Sequence, residues 1–174
     1  MGETATREQL IAQWTELVND PSLHDLPYKI ELTAEGKIQM SPASNWHGKA
    51  QARVAYDLRN ALPGGEVITE CSVLTGIGVR VPDVAWASNE FLLVQGDSTP
   101  FTQAPEICVE IVSRSNRKAE VDEKIAAYLA AGAKEVWIVS TAGHVEFHGA
   151  DGQRRQSEFA VKVELPPPPK ARLE

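Results

Sequence analysis

The sequence predicts a single α/β domain, and three observations carry that prediction. Stretches with the apolar spacing of a helix occur along the same chain as short runs rich in Val, Ile and Thr. One run, ICVEIV at 107–112, is apolar enough to be a strand buried on both faces, which belongs at the centre of a sheet. The length of 174 residues suits one domain of roughly 100–200 residues, long enough to bury a real core.

The elements follow in order. Thr6 and Gln9 have capping-box spacing, and Leu10, Trp14, Leu17 and Val18 recur at helical intervals, so a helix is expected from 6 to about 19, ended by Asn19-Asp20-Pro21. The alternation Tyr28-Lys29-Ile30-Glu31-Leu32, the turn AEG and the run 37–40 read as a β-hairpin. A second helix, capped by Ser44 or Asn45, runs towards Leu62 and stops at Pro63-Gly64-Gly65. Residues 66–74 and 79–87 are expected to be two strands, and 88–105 a long loop. After the central strand, Ser115 or Asn116 caps a third helix with Val121, Ile125, Tyr128 and Leu129 on one stripe and Gly132 as its stop. Strands are expected at 135–140, at 144–147 and near 159–163. The proline run 166–169 reads as an extended, peripheral tail, which divides the chain into a domain at 1–165 and a tail at 166–174.

Composition narrows the function. No apolar stretch reaches the roughly 18 residues of a membrane span, and the opening MGETATREQL lacks the marks of a signal peptide, so a cytoplasmic protein without membrane contact is expected. Cys71 and Cys108 each sit in an apolar run, as buried reduced thiols do. A net charge of −7 argues against general nucleic-acid affinity, which rests on cations neutralising phosphates. Only a local basic patch would restore it.

Glu110 is the most informative residue. A carboxylate inside ICVEIV is costly to desolvate unless a cation or metal compensates it. Asp83, in VRVPDVAW, shares a strand face with Val81 and Ala85 and is the second acid. Two acids on neighbouring strands can converge on one ion, and hard cations such as Mg²⁺ accept one or two carboxylates plus waters. Lys124 lies at the edge of the third helix's apolar stripe, three residues after Val121 and four before Tyr128, where an inward ammonium can orient or help deprotonate a water. The competing reading makes Glu110 and Lys124 a structural ion pair and Asp83 a turn cap. His47 and Gln51 share the face of the second helix with Val54 and Leu58, and Glu70 lies on an adjoining strand, so the three are accessory candidates beside the alternative of core or solvated residues. Arg114, Arg117 and Lys118 are candidate phosphate contacts near a helix start, or an ordinary solvated first turn.

At PDVAWAS, APEICVEIVSRSN and VDEKIAAYLAAGAKEVWIVS, with KIQMSPASNWHGKAQARVAYDL upstream, residues 28–150 resemble the Uma-two family of the PD-(D/E)XK nuclease superfamily. The resemblance implies a restriction-endonuclease-like fold, with a mixed central sheet flanked by helices. It also implies Asp83 and Glu110 as the motif acids holding Mg²⁺ or Mn²⁺, the Ile111 backbone carbonyl as a further ligand, and hydrolysis of phosphodiester bonds in DNA by a homodimer. The superfamily pattern has a lysine two residues after the second acid, where this chain has Val112. Lys124, in EKIAAY, resembles the helix-borne lysine that some such families use instead. The acid that the superfamily often carries on its first core helix is replaced here by His47 and Gln51. A different class of reading keeps the fold and the acids but makes the protein a nucleic-acid- or protein-binding module without turnover.

Overall fold

In the computed structural model residues 4–170 are described. The first three residues and the end of the expected tail, 171–174, lie outside them. Helix α1 spans Arg7–Val18, and its Thr6/Gln9 capping box forms as the spacing predicts. A 3₁₀ turn at Pro21–Leu23 leads to β1 (Tyr28–Thr33) and β2 (Ile38–Pro42). Then come α2 (Asn45–Ala61), β3 (Gly65–Thr69), β4 (Val73–Thr75), β5 (Gly78–Arg80) and β6 (Val84–Ser88). Finally α3 (Asn89–Gln95), β7 (Ile107–Val112), α4 (Lys118–Ala130), β8 (Glu135–Ser140), β9 (Val145–Gly149) and β10 (Gly152–Arg154) complete the chain.

The helices flank two sheets. The larger, six-stranded sheet has the order β10-β9-β8-β7-β6-β3 and is mixed, because β7 and β8 run parallel while its other neighbours are antiparallel. ICVEIV is β7, an inner strand, as its apolar run predicts. Strand alternation divides this sheet's core in two. Val84, Trp86, Ile107, Val109, Ile111, Trp137 and Val139 pack with Trp46, Ala50, Val54 and Leu58 of α2. Ala85, Cys108, Val136 and Ile138 pack with Ile125 and Tyr128 of α4. Leu58 and Val54 are fully buried, worth about 1.5–3 kcal/mol each. The smaller antiparallel sheet, β2-β1-β5-β4, covers Leu32, Leu74 and Val79 with Leu10 and Trp14 of α1.

Several expectations need correction. The two strands expected at 66–74 and 79–87 are four shorter ones divided between the sheets, β3 and β6 in the larger and β4 and β5 in the smaller. Apolar β-branched composition does not reveal where a chain changes sheets. The changes fall at residues 70–72 and 81–83, and between them Gly78 lets β5 pack onto β1: at φ +110° a Cβ there would sit 2.1 Å from the Leu32 carbonyl oxygen. The supposed loop 88–105 contains α3, capped by the Ser88 hydroxyl. Neither Ser115 nor Asn116 caps α4. Its N-cap is Arg117 without a side-chain bond, and Asn116 Oδ1 instead accepts from the Ser113 amide at 2.8 Å. No strand forms at 159–163, because the residues are held by side chains: Phe159, Val161 and Val163 pack onto the α2 side of the sheet. The proline run lies against the body, where Trp46 Nε1 donates to the Pro167 carbonyl oxygen at 2.7 Å.

Candidate active site

The register of β6 on β7 brings the two acids together. Val84 pairs with Val109 and Ala85 with Cys108, and continuing that register one step would set Asp83 opposite Glu110. The Asp83 amide donates to the Val109 carbonyl oxygen at 2.9 Å, one residue out of that register, so regular pairing ends at Val84 and Asp83 lies beside Glu110 just beyond it. Both side chains therefore emerge on the α4 face of the sheet. Like charges side by side on neighbouring strands repel, and both acids are buried, at 1% and 4% exposure. A cation is required between them.

That cation is the ammonium of Lys29, 2.9 Å from Asp83 Oδ1 and 3.3 Å from Glu110 Oε2. It comes from β1. Ile30 and Leu32 turn towards α1, so Lys29 and Glu31, alternating with them, turn towards the end of the larger sheet. Glu31 Oε1 accepts from Lys124 Nζ at 3.0 Å and from the Val81 amide at 2.9 Å, and Arg80 lies 3.5 Å from Glu31 Oε2. On α4, Lys124 and Tyr128 stand one turn apart and both reach Glu110 Oε1, at 3.2 and 2.7 Å. The Ile111 amide donates to Asp83 Oδ2 at 2.6 Å. Because a strand residue's amide and carbonyl point to the same side, the Ile111 carbonyl faces the Asp83 side, beyond the last β6–β7 pair.

The electrostatics follow from these contacts. Burial works against ionisation of Asp83, but the His47 hydrogen bond, the Lys29 charge and the Ile111 amide outweigh it and hold the carboxyl down at about 2. Burial likewise opposes charge on Lys29, yet Glu110, Asp83 and Glu31 together raise its pKa above the ordinary lysine value. Glu31 is lowered, its burial outweighed by Lys124, Lys29 and the Val81 amide. Burial and the neighbouring Glu110 push the Tyr128 hydroxyl well up, which keeps it a donor. A cavity of about 660 Å³ opens over this group, bounded by the β1–β2 hairpin, the start of α2 and the first turns of α4.

The chain matches the Uma2 family, described as “Putative restriction endonuclease”, over residues 20–171. The chain belongs to the Uma2 family. Its fold is similar to that of a solved structure from Anabaena variabilis described as a “putative nuclease belonging to DUF820”. The TM-score is 0.58 and the identity 18%, over 75% of this chain and 83% of that one, a likeness of fold. Among curated proteins none matches.

The other expected residues of this Uma2 chain are placed unevenly around the cavity. His47 Nε2 lies 3.2 Å from Asp83 Oδ1, while its Nδ1 is buried with no partner among the described residues. Gln51 Nε2 donates to the Asp83 carbonyl oxygen at 3.0 Å and to Glu70 Oε1 at 3.4 Å. Glu70 is exposed at φ +56° on the cavity wall. Arg117 stands at the rim, paired with Glu120. Arg114 and Lys118 are exposed and do not line the cavity, and Lys118 pairs with Asp122 at 2.8 Å. Lys29, Glu31 and Arg80 were not singled out from the sequence. The available signal was the charge pair Lys29/Glu31 at i, i+2, on one face of a strand whose other face is apolar.

Among the described residues no three His, Cys, Asp or Glu side chains gather as a metal shell. The donors on hand are two carboxylates and a backbone carbonyl. Hard divalent ions use one or two carboxylates with the rest water, so this set fits Mg²⁺ or Mn²⁺ at the point where Asp83 and Glu110 now share an ammonium.

Proposed function

We propose that the protein is a divalent-metal-dependent endonuclease acting on DNA, with Asp83 and Glu110 as the acids of its site. The observation that carries this reading is the convergence of two buried carboxylates from neighbouring strands on one cation position beneath an open cavity. Mg²⁺ or Mn²⁺, when bound, would supply charge to offset the negative charge that builds up on the phosphate. Asp83, Glu110 and the Ile111 carbonyl would hold the ion. Tyr128 fixes Glu110 by donating to Oε1.

Lys124 has three protons and uses two, on Glu31 and Glu110. The third has no partner among the described residues and would hold a water oxygen in line with a phosphodiester in the cavity, the role that a lysine two residues after Glu110 would otherwise take. Arg117, at the rim, is placed to meet a neighbouring phosphate.

The test is cleavage of single- and double-stranded DNA in Mg²⁺ and Mn²⁺ by the wild type and by Lys124→Ala. Cleavage by the wild type, with the variant losing far more cleavage than Mn²⁺ affinity, supports the reading. A wild type that binds Mn²⁺ and cuts neither substrate overturns it. One observation favours the rival, a nuclease-fold binding module without turnover. Three carboxylates (Asp83, Glu110, Glu31) already face three cations (Lys29, Lys124, Arg80), so the site is charge-balanced without a metal.

A further inference from the structure

We propose that Lys29 is a tethered occupant of the divalent-ion position between Asp83 and Glu110, so that an ion enters only when this side chain withdraws and the chain limits its own metal affinity. The inference rests on the metal-dependent reading above and goes beyond it. An ion bound by these carboxylates would sit roughly 2.0–2.3 Å from their oxygens. The ammonium is already 2.9 and 3.3 Å from the same two oxygens. The two cations cannot share that space.

Charge argues the same way. With Lys29 in place the three acids and three cations sum to zero, and a divalent ion added beside it would leave the buried group at +2. Exchange of the ammonium for the ion leaves +1, a smaller penalty in a desolvated site.

Lys29 is also the cation whose departure clears the position, since its ammonium lies between Asp83 and Glu110. Arg80 is anchored by bonds to the Ile77 carbonyl oxygen and to Gln39, and Lys124 bridges Glu31 and Glu110 from the second turn of α4. Lys29 carries its ammonium on a flexible four-carbon stem, near the start of β1, and lines the cavity. The space needed to swing aside is the space a substrate phosphate would enter, and the displaced ammonium would meet that phosphate.

The experiment measures Mn²⁺ binding to the full chain by calorimetry, with the Mn²⁺-induced rise in Tm, for the wild type, Lys29→Met, Lys29→Arg and Asp83→Asn. Lys29→Met keeps the stem and removes the charge. It is expected to bind Mn²⁺ about tenfold more tightly or better, the gain if the wild-type position is vacant in about one molecule in ten or fewer. Lys29→Arg, still cationic, is expected to bind no better than the wild type. A purely structural Lys29 would give the opposite sign, with Lys29→Met weaker in both stability and binding.

Mn²⁺ binding that Asp83→Asn abolishes and Lys29→Met leaves unchanged or weakens overturns this inference while the metal reading stands. No Mn²⁺ binding by any of the four proteins overturns both. Should Lys29→Met not fold, a crystal structure of the wild type grown in Mn²⁺ decides. An ion between the carboxylates with Lys29 turned away supports the proposal, and an ammonium still seated between them overturns it.

Discussion

Glu135 and Glu110 sit on adjacent parallel strands, both almost wholly buried, and the two are built for different purposes. Glu135 is saturated. Its Oε1 accepts from Arg154 at 3.1 Å and the Glu158 amide at 2.7 Å, and its Oε2 from Trp137 and Ser157, both at 2.7 Å. Those donors fix residues 154–158, from which the C-terminal segment carries Phe159 and Val161 across the α2 side of the sheet. Glu110 is different. Two of its three partners are ammoniums on long stems, and a cavity lies above it. Burial of a strand carboxylate is therefore not in itself a functional signal. An acid filled by fixed donors clasps the chain, whereas an acid held by a movable cation beside open space can exchange its partner.

The largest expected effect tests the clasp. Glu135→Ala strands several buried donors and opens a void, and should cost about 3–5 kcal/mol in urea unfolding, while Mn²⁺ affinity stays at the wild-type value. Glu110→Gln should reverse that pattern. Lys29 keeps Asp83 and Lys124 keeps Glu31, so stability falls by only about 1–2 kcal/mol, while the Mn²⁺-induced rise in Tm disappears. Equal losses of stability in the two variants would break the comparison.

Asp83 adds a pH dependence. Its folded pKa, about 2, lies below the ordinary 3.8, so its contribution is fully present above the ordinary value and is lost as pH falls from there towards 2. Denaturant melts across that range should show an acid limb that Asp83→Asn flattens. The smallest effect belongs to Tyr128→Phe. Two ammoniums still hold Glu110, so the loss should be about 0.5–1.5 kcal/mol, with Mn²⁺ binding retained in calorimetry.

Much of this was legible in the chain itself. The helix caps at Thr6 and Ser44, the hairpin, the inner position of ICVEIV and the inward turn of Lys124 all follow from patterns a few residues long. So does the placing of Asp83 and Glu110 near one another. What escaped is of another kind. Lys29 lies 54 residues from Asp83 and 81 from Glu110, and Glu31 lies 93 residues from Lys124, which joins it to Glu110. The change of sheets between β3 and β6, and the side-chain anchoring of 159–163, escaped for the same reason.

The sequence by itself determined the α/β character, most element types and the burial of two candidate acids, because periodicity, capping and the cost of burying a charge act locally. Only the tertiary structure decided which cation answers those acids. A hairpin shows that one of its faces is charged, but not whether that face meets water or a second sheet. The packing of α1 on the opposite face turned Lys29 inward and made it, rather than a distant surface residue, the partner of Asp83 and Glu110.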